Sequence, residues 1–346
     1  MINLLGQTLS QLQQLCAAEG FPRFVARQIC DWVYQKRVVE IDAMTNLSLK
    51  VRSRLKEIAY IYCPDPVAVQ TSKDGTKKYL FDVVDNPYQP TTTLEGRYVE
   101  CVVIPDGERA TLCISCQRGC KMSCYFCVTG RQGFHGNLTT DQILMQAFAI
   151  PESTILTNIV YMGMGEPMDN LDAVLQSTQI FTADWGWQWS PRRITVSSVG
   201  VTPQVKRFLD ESECHLAISL HNPFPPQRME LMPAERAYPI VSLVTMLRRY
   251  DWSGQRRLSF EYTLFRGVND SLTHAAELVS LLGGLRCRVN LIRFHESNEV
   301  DLRTSSDATI VNFQNYLNNH GITCTLRASR GQDIMAACGL LAGHKK

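Results

Sequence analysis

Nowhere in this sequence does an apolar run last long enough to cross a bilayer, so no membrane-spanning helix is expected. The first stretch, Met1 to Gly20, mixes Gln, Ser and Leu at helical spacing. It lacks a basic start leading into an apolar block, and it lacks a small-residue cleavage site. A secretory signal is therefore not expected, and the chain reads as cytoplasmic. Charge of one sign is missing too: 35 Lys and Arg stand against 33 Asp and Glu, leaving +2. A near-neutral chain does not announce a nucleic-acid binder, although phosphate affinity depends on local patches rather than on the total. Basic clusters occur at Lys36-Arg37, at Lys50-Val51-Arg52 with Arg54 and Lys56, and at Lys77-Lys78, Arg192-Arg193, Arg248-Arg249 and Arg256-Arg257. Taken singly, each reads as a solvated face. Internal repeats and low-complexity segments are also absent.

What is present in excess is cysteine. The chain has 13 among 346 residues, an odd number, and five of them fall at positions 113, 116, 120, 124 and 127. Without a secretion signal, such a cluster points to metal or redox chemistry rather than to a disulfide framework. Two Cys-x-x-Cys pairs, Cys113/Cys116 and Cys124/Cys127, raise a zinc knuckle, but structural zinc sites leave a longer arm between pairs. A redox-active Cys-x-x-Cys is a further alternative, with flanks unlike thioredoxin's. The spacing Cys120-x-x-x-Cys124-x-x-Cys127 is explained best by an iron–sulfur cluster. Three thiolates in one loop hold a four-iron cluster and leave its fourth iron open to a small molecule.

The length and a 45% hydrophobic share suit one large domain with a small appendage. Residues 1–62 read as a helical module, with Leu9, Leu12 and Leu15 at helical spacing, a second pattern from Phe24 to Tyr34, and a basic amphipathic segment after Asn46-Leu47-Ser48. Residues 63–105 read as a small β-rich connector with a turn at Ser72-Lys73-Asp74-Gly75. Residues 106–346 then alternate. Strands are expected at 111–115, 157–162, 193–198, 214–219, 257–264 and 287–292, with helical patterns between most of them. That is an α/β chain with a parallel sheet, and six units suit a partial (β/α)6 barrel rather than a closed eight-unit one. Functional groups of such folds gather at the carboxyl ends of the strands, and the cysteine loop follows the first of them.

Cys120-x-x-x-Cys124-x-Phe126-Cys127 resembles the signature of the radical S-adenosylmethionine (SAM) superfamily. Met162-Gly163-Met164-Gly165-Glu166-Pro167 is similar to its glycine-rich turn, and polar residues end the strands at Ser197-Ser198, Ser219-Leu220-His221 and Asn290. The whole set resembles the RlmN/Cfr family of RNA adenine methyltransferases over nearly the full chain. The resemblance includes Ser72-Lys73-Asp74-Gly75-Thr76-Lys77-Lys78, Thr129-Gly130-Arg131-Gln132-Gly133-Phe134 and Arg330-Gly331-Gln332-Asp333-Ile334-Met335-Ala336-Ala337-Cys338-Gly339. Cys116 departs from it, since the family usually has Ser there, and it reads as a small buried side chain.

The resemblance implies a partial radical SAM barrel, a [4Fe-4S] cluster on Cys120, Cys124 and Cys127, and SAM contacts at Gly165, Glu166, Ser197, Ser219, Leu220, His221 and Asn290. It puts the methyl-carrying cysteine at Cys338, its resolving partner at Cys113, and a proton-accepting carboxylate at Glu100. The reason for two cysteines is chemical. C2 of adenine is not nucleophilic, so ordinary displacement on SAM fails there. Cys338 would first take a methyl group, a deoxyadenosyl radical would abstract hydrogen from it, and the carbon radical would add to C2. Proton loss and attack by Cys113 would release the product and leave a disulfide. The implied partners are 23S rRNA, the adenine 3′ of the anticodon in tRNAs, and an electron donor such as flavodoxin or ferredoxin. Arg52, Arg54 and Lys56 mark the helical module as a candidate RNA-docking surface. Arg131-Gln132-Gly133-Phe134 and the 330–334 segment favour C2 over C8 of adenine. A C8 methyltransferase is the competing enzyme, and an iron–sulfur or zinc RNA-binding protein is the competing non-enzyme.

Overall fold

The computed structural model describes residues 1–84, 86–88, 96–296, 300–337 and 339–343. Ten strands form its main sheet: β1 (Ala68–Thr71), β2 (Lys77–Asp82), β3 (Tyr98–Asp106), β4 (Arg109–Cys113), β5 (Asn158–Tyr161), β6 (Ile194–Ser198), β7 (His215–Ser219), β8 (Leu258–Leu264), β9 (Arg288–Arg293) and β10 (Thr323–Leu326). Each strand pairs with the next in sequence, so β1 and β10 are the two edges and the sheet stays open. From β4 to β10 all pairings are parallel, while β1 to β4 are antiparallel.

Parallel strands covered on both faces read as near-continuous apolar runs. The central strand β7 does so: His215 to Ile218 are all buried. The connecting helices are amphipathic. Thr202–Glu211 buries Val205, Phe208 and Leu209 and carries Lys206–Asp210 and Arg207–Glu211 pairs at i,i+4 on its outer face. Side-chain caps fix where such helices begin: Ser271 Oγ accepts from the His274 amide at 3.4 Å and Ser306 Oγ from the Thr309 amide at 3.2 Å. The six expected strands are all present, joined by helices 140–148, 171–182, 202–211, 240–247, 272–282 and 307–319. The expectation omits β10. Of its residues only Cys324 is buried, so no apolar run betrays it.

The segment 63–105 contributes β1, β2 and most of β3 to this same sheet. Ahead of it, helices Leu9–Ala18, Phe24–Cys30 and Leu49–Ile58 pack together, closed by a two-stranded parallel pairing of Ile2–Asn3 with Ala59–Tyr60. No helix among the described residues is long and apolar enough to cross a membrane.

Candidate active site

Because β5 to β9 are parallel, their carboxyl ends lie on one side and open into one cavity. Ser197, Ser198, Ser219, Thr263, Ile292 and Arg293 line it from the strands. Cys120, Cys124 and Cys127 line it from the loop after β4. Backbone bonds hold that loop: Cys120 N donates to Gly133 O at 2.8 Å, Tyr125 N to Leu231 O at 2.9 Å, and Cys127 N to Cys124 O at 3.1 Å. Gly119 adopts φ +76°, and a Cβ there would sit 2.0 Å from Gly133 O, so the loop's approach requires glycine. Phe126 stands edge-on to His221 with centroids 4.8 Å apart and leans on Phe265 at 5.3 Å.

Burial pushes the Cys120 thiol up to about 12 and the Cys124 thiol well above its ordinary range. Neither would ionise near neutrality by itself, whereas a coordinating metal removes the proton outright. The three thiols line one cavity and are soft donors of the kind iron–sulfur clusters take, while among the described residues no three Cys, His, Asp or Glu side chains are already gathered closely enough to hold a metal ion. Cys116 is absent from this cavity. It is 2% exposed, and its amide bonds Met164 O at 2.9 Å. Cys113 lines a different cavity. The four cysteines of the knuckle reading are therefore not brought together.

The glycine-rich turn presses against the strand that leads into the cysteine loop. A Cβ on Gly163 would lie 2.6 Å from Ile114 O, and one on Gly165, at φ +101°, would lie 2.5 Å from Gln117 Cβ. This approach delivers Glu166 to the cavity, 3% exposed, with Oε1 accepting from Met168 N at 3.1 Å and Oε2 from Val199 N at 2.9 Å. Burial raises its carboxyl to about 7 against the opposing pull of the Val199 amide, the Ser198 hydroxyl and the Met168 amide. His221 is buried in the left-handed region at φ 53°, and its Nδ1 accepts from Thr263 N at 2.9 Å. Burial, aided by nearby Arg228, holds its imidazole down at about 3. The ring is neutral, and with Nδ1 an acceptor its proton belongs on Nε2.

Gly165, Glu166, Ser197, Ser219 and His221 thus meet at one cavity with the three cysteines. Leu220 and Asn290 are not among the lining residues. Leu220 is fully buried, and its amide bonds Glu261 O at 3.0 Å. Asn290 Nδ2 donates to Glu261 Oε1 at 2.8 Å.

Two buried charges that sequence reasoning passed over organise this end of the sheet. Arg228 Nη2 donates to Val199 O and Ser219 O at 2.8 Å, its Nε to Leu220 O at 3.0 Å, and its Nη1 to Glu235. It thereby ties the ends of β6 and β7 together. Glu261 on β8 lines the cavity, accepts from Asn290, and lies 3.2 Å from Arg327 Nε. Glu261 is met by Asn290 from β9 and by Arg327 just past β10, and Arg228 reaches past its own helix to Val199, Ser219, Leu220 and Glu235, so the pattern within that helix carries no sign of its role.

Cys338 lies outside the described residues, but its neighbours do not. Gly339, Leu340 and Leu341 line the cysteine cavity. Ala336, Ala337 and Leu341 line the adjoining cavity that Cys113 reaches from the end of β4. Glu100 on β3 faces a third cavity alongside Leu340 and Ala342. Its Oε2 accepts from Ala342 N at 2.8 Å and its Oε1 pairs with Lys78 at 3.1 Å.

The tail is held on both sides of Cys338. Downstream, Val128 N donates to Gly339 O at 2.8 Å and Thr129 Oγ1 to Leu341 O at 2.7 Å. Upstream, the Ser72–Gly75 turn clasps it: Asp74 Oδ2 accepts from Gly331 N at 2.9 Å, while Ser72 Oγ and Lys73 N donate to Asp333 at 2.5 and 3.1 Å. Burial would raise the Asp74 carboxyl, but the Gly331 and Thr76 amides and the Thr76 and Ser72 hydroxyls outweigh it and hold it at about 2.

Two family models match the chain. "Ribosomal RNA large subunit methyltransferase N-terminal domain" covers residues 2–61 and "Radical SAM superfamily" covers residues 114–279. A "Probable dual-specificity RNA methyltransferase RlmN" of Bacteroides fragilis is 56% identical over 343 residues, covering 99% of this chain and 97% of the relative. A "Dual-specificity RNA methyltransferase RlmN" of Syntrophus aciditrophicus is 42% identical over 346 residues, with 99% and 97% covered. The crystal structure of a radical SAM methyltransferase from Sphaerobacter thermophilus superposes with a TM-score of 0.89 at 39% identity, covering 99% of this chain and 100% of that one. By full-length identity and by fold, this chain belongs to the RlmN family of radical SAM RNA methyltransferases.

Proposed function

We propose that this chain methylates C2 of adenine in RNA, taking 23S rRNA and the adenine 3′ of the anticodon in tRNAs as substrates. One observation carries the reading furthest. The tail segments flanking Cys338 line both the cavity of Cys120, Cys124 and Cys127 and the cavity reached by Cys113. Flanking segments that reach both cavities suit a methyl carrier that is loaded at one site and resolved at the other.

Cys120, Cys124 and Cys127 would hold a [4Fe-4S] cluster. Gly165, Glu166, Ser197, Ser219 and His221 would seat S-adenosylmethionine, with Leu220 and Asn290 supporting that wall. When bound, these groups supply a methyl group, an electron and a hydrogen-abstracting radical. Glu166 keeps acceptor capacity beyond its two backbone amides, enough for an ammonium group. Lys78 and the Ala342 amide orient Glu100 under the tail, where it would take the C2 proton. Cys338 would carry the methyl group, and Cys113 would attack its sulfur to free the product. A small electron-transfer protein such as flavodoxin or ferredoxin would supply electrons, and residues 1–62 would dock RNA in the cytoplasm.

Deleting the gene should remove 2-methyladenosine from 23S rRNA and tRNA, as read by mass spectrometry of nucleosides. The wild-type gene should restore it and a Cys338→Ala version should not. Loss of 8-methyladenosine instead would assign the chain to C8 chemistry.

A further inference from the structure

At the opposite end of the sheet, the amino ends of the strands form a second cleft. Arg192 precedes β6, Arg256 and Arg257 precede β8, Arg286 precedes β9, and Arg288 opens it; all five line that cleft, with Trp252 beside them. In sequence Arg192 belongs to one short basic pair and Arg256 and Arg257 form another, each of which reads as an ordinary solvated face, while Arg286 and Arg288 fall in no basic cluster singled out from the sequence. The fold gathers them from three inter-strand connections into one concavity, and no Asp or Glu is among the described residues that line it.

Their partners differ. Arg256 donates to Leu209 O at 2.8 Å and to Ser212 O, and lies 3.4 Å from Glu213. Arg286 donates to Ser253 O at 3.3 Å, and Asp251 lies near enough to feel its charge. Arg192, Arg257 and Arg288 are exposed and have no carboxylate partner among the described residues. Their charge is felt locally: His215 at the start of β7 is held down at about 4 by burial and then by Arg257, Arg192, Arg256 and Arg288. The cations of the N-terminal helices present the reverse case. Arg54 pairs with Glu19 and Glu57, Lys56 pairs with Asp42, and Arg52 donates to Asp42 O at 2.9 Å.

We propose that this arginine cleft binds backbone phosphates of the substrate RNA at a distance from the reacting adenine. The inference rests on the reading of the chain as an RNA methyltransferase. Guanidinium forks match phosphate oxygens in pairs and stay charged at any working pH. Three exposed like charges with no carboxylate partner among the described residues, Arg192, Arg257 and Arg288, favour an anion that joins them. An acidic electron donor fits the charge but not the place. The cleft lies a strand length, roughly 20 Å at about 3.3 Å per residue, from the cysteine-lined cavity, too far for efficient electron transfer. A structured RNA is long enough to touch both ends of the sheet.

The test is Arg257→Glu/Arg288→Glu in the full chain, with Arg257→Gln/Arg288→Gln as the milder variant. Binding is measured against salt for an intact tRNA and for a short stem-loop carrying the target adenine. The tRNA should bind the Glu variant at least about tenfold more weakly, with a salt slope lower by about one to two, and the Gln variant should fall between. Stem-loop methylation and iron content should match wild type. Unchanged tRNA affinity and slope in both variants overturn the proposal. So does a slower reduction by flavodoxin with tRNA binding intact, which would make the cleft a protein site. So does binding of inorganic phosphate that the variants abolish while tRNA affinity holds. If wild type itself binds and methylates no RNA, the proposed function falls, an outcome separable from a failure of the variants alone.

Discussion

The two ends of the sheet are built on opposite principles. At the carboxyl end, charges are buried and almost fully partnered: Arg228 with Glu235 and three carbonyls, Glu261 with Asn290 and Arg327, Glu166 with two backbone amides. At the amino end, four of the five arginines stand exposed, three of them without a carboxylate partner among the described residues. Buried polar groups cost several kcal/mol if left unpaired, so a satisfied network fixes one geometry. Exposed charges fix no geometry, but they attract over a Debye length. The first arrangement suits placing reactive atoms, and the second suits gathering a large polyanion.

The largest effect is expected from the cysteines. Cys124→Ala should leave the anaerobically reconstituted protein short of iron and sulfide and reduce methylation below detection, while Arg288→Gln leaves iron content unchanged. Next comes the buried pair. Arg228→Met strands Glu235 in the core and should cost about 3–5 kcal/mol in urea unfolding. Adding Glu235→Leu should recover much of that loss. No comparable coupling should link Arg257 to Arg288.

A smaller effect is expected at the clasp. Asp74→Ala should speed proteolysis after residue 330 and slow turnover by about 10- to 100-fold, with iron content retained. Because the Asp74 carboxyl is held at about 2, below its unfolded value, the clasp should persist at mildly acid pH and fail as pH falls through about 2.

The smallest effect is spectroscopic. His215 should titrate near 4 by NMR and move up in Arg257→Gln/Arg288→Gln while staying below its ordinary value, because burial, the largest cause, and the charges of Arg192 and Arg256 remain. Its folded value is depressed, so its contribution to stability is present above the unfolded value and is lost as pH falls through about 4. A His215 that does not move in that variant would mean that the arginines do not share a field.

The sequence exposed the chemistry that is local. The cysteine loop, the Gly163–Glu166 turn and the polar residues ending β6 and β7 each occupy a few consecutive positions, and they meet where the parallel order of strands requires. The apolar runs of β4 to β9 were legible for the same reason, since burial on both faces leaves a continuous pattern. What stayed hidden depends on distance along the chain. Arg228 looks like an ordinary helix residue until Val199, Ser219 and Glu235 are seen around it. The motifs at 72–78 and 330–339 read as two separate signatures, yet they bond to each other across some 260 residues. Arg192 and Arg257 sit in ordinary basic pairs, and Arg288 in none, until the strands bring their amino ends together. β10 was missed because an edge strand with one buried residue has no pattern to show.

The central claim is that three thiolates and a distant methyl-carrying thiol act together on C2 of adenine. It is tested most directly by anaerobic reconstitution with iron and sulfide, followed by reaction with methyl-labelled S-adenosylmethionine and a target RNA. The account predicts about four irons per chain, label first on Cys338 and then on C2, and no labelled RNA from Cys338→Ala. A chain that takes up no iron, or a Cys338→Ala variant that labels RNA at the wild-type rate, would contradict it.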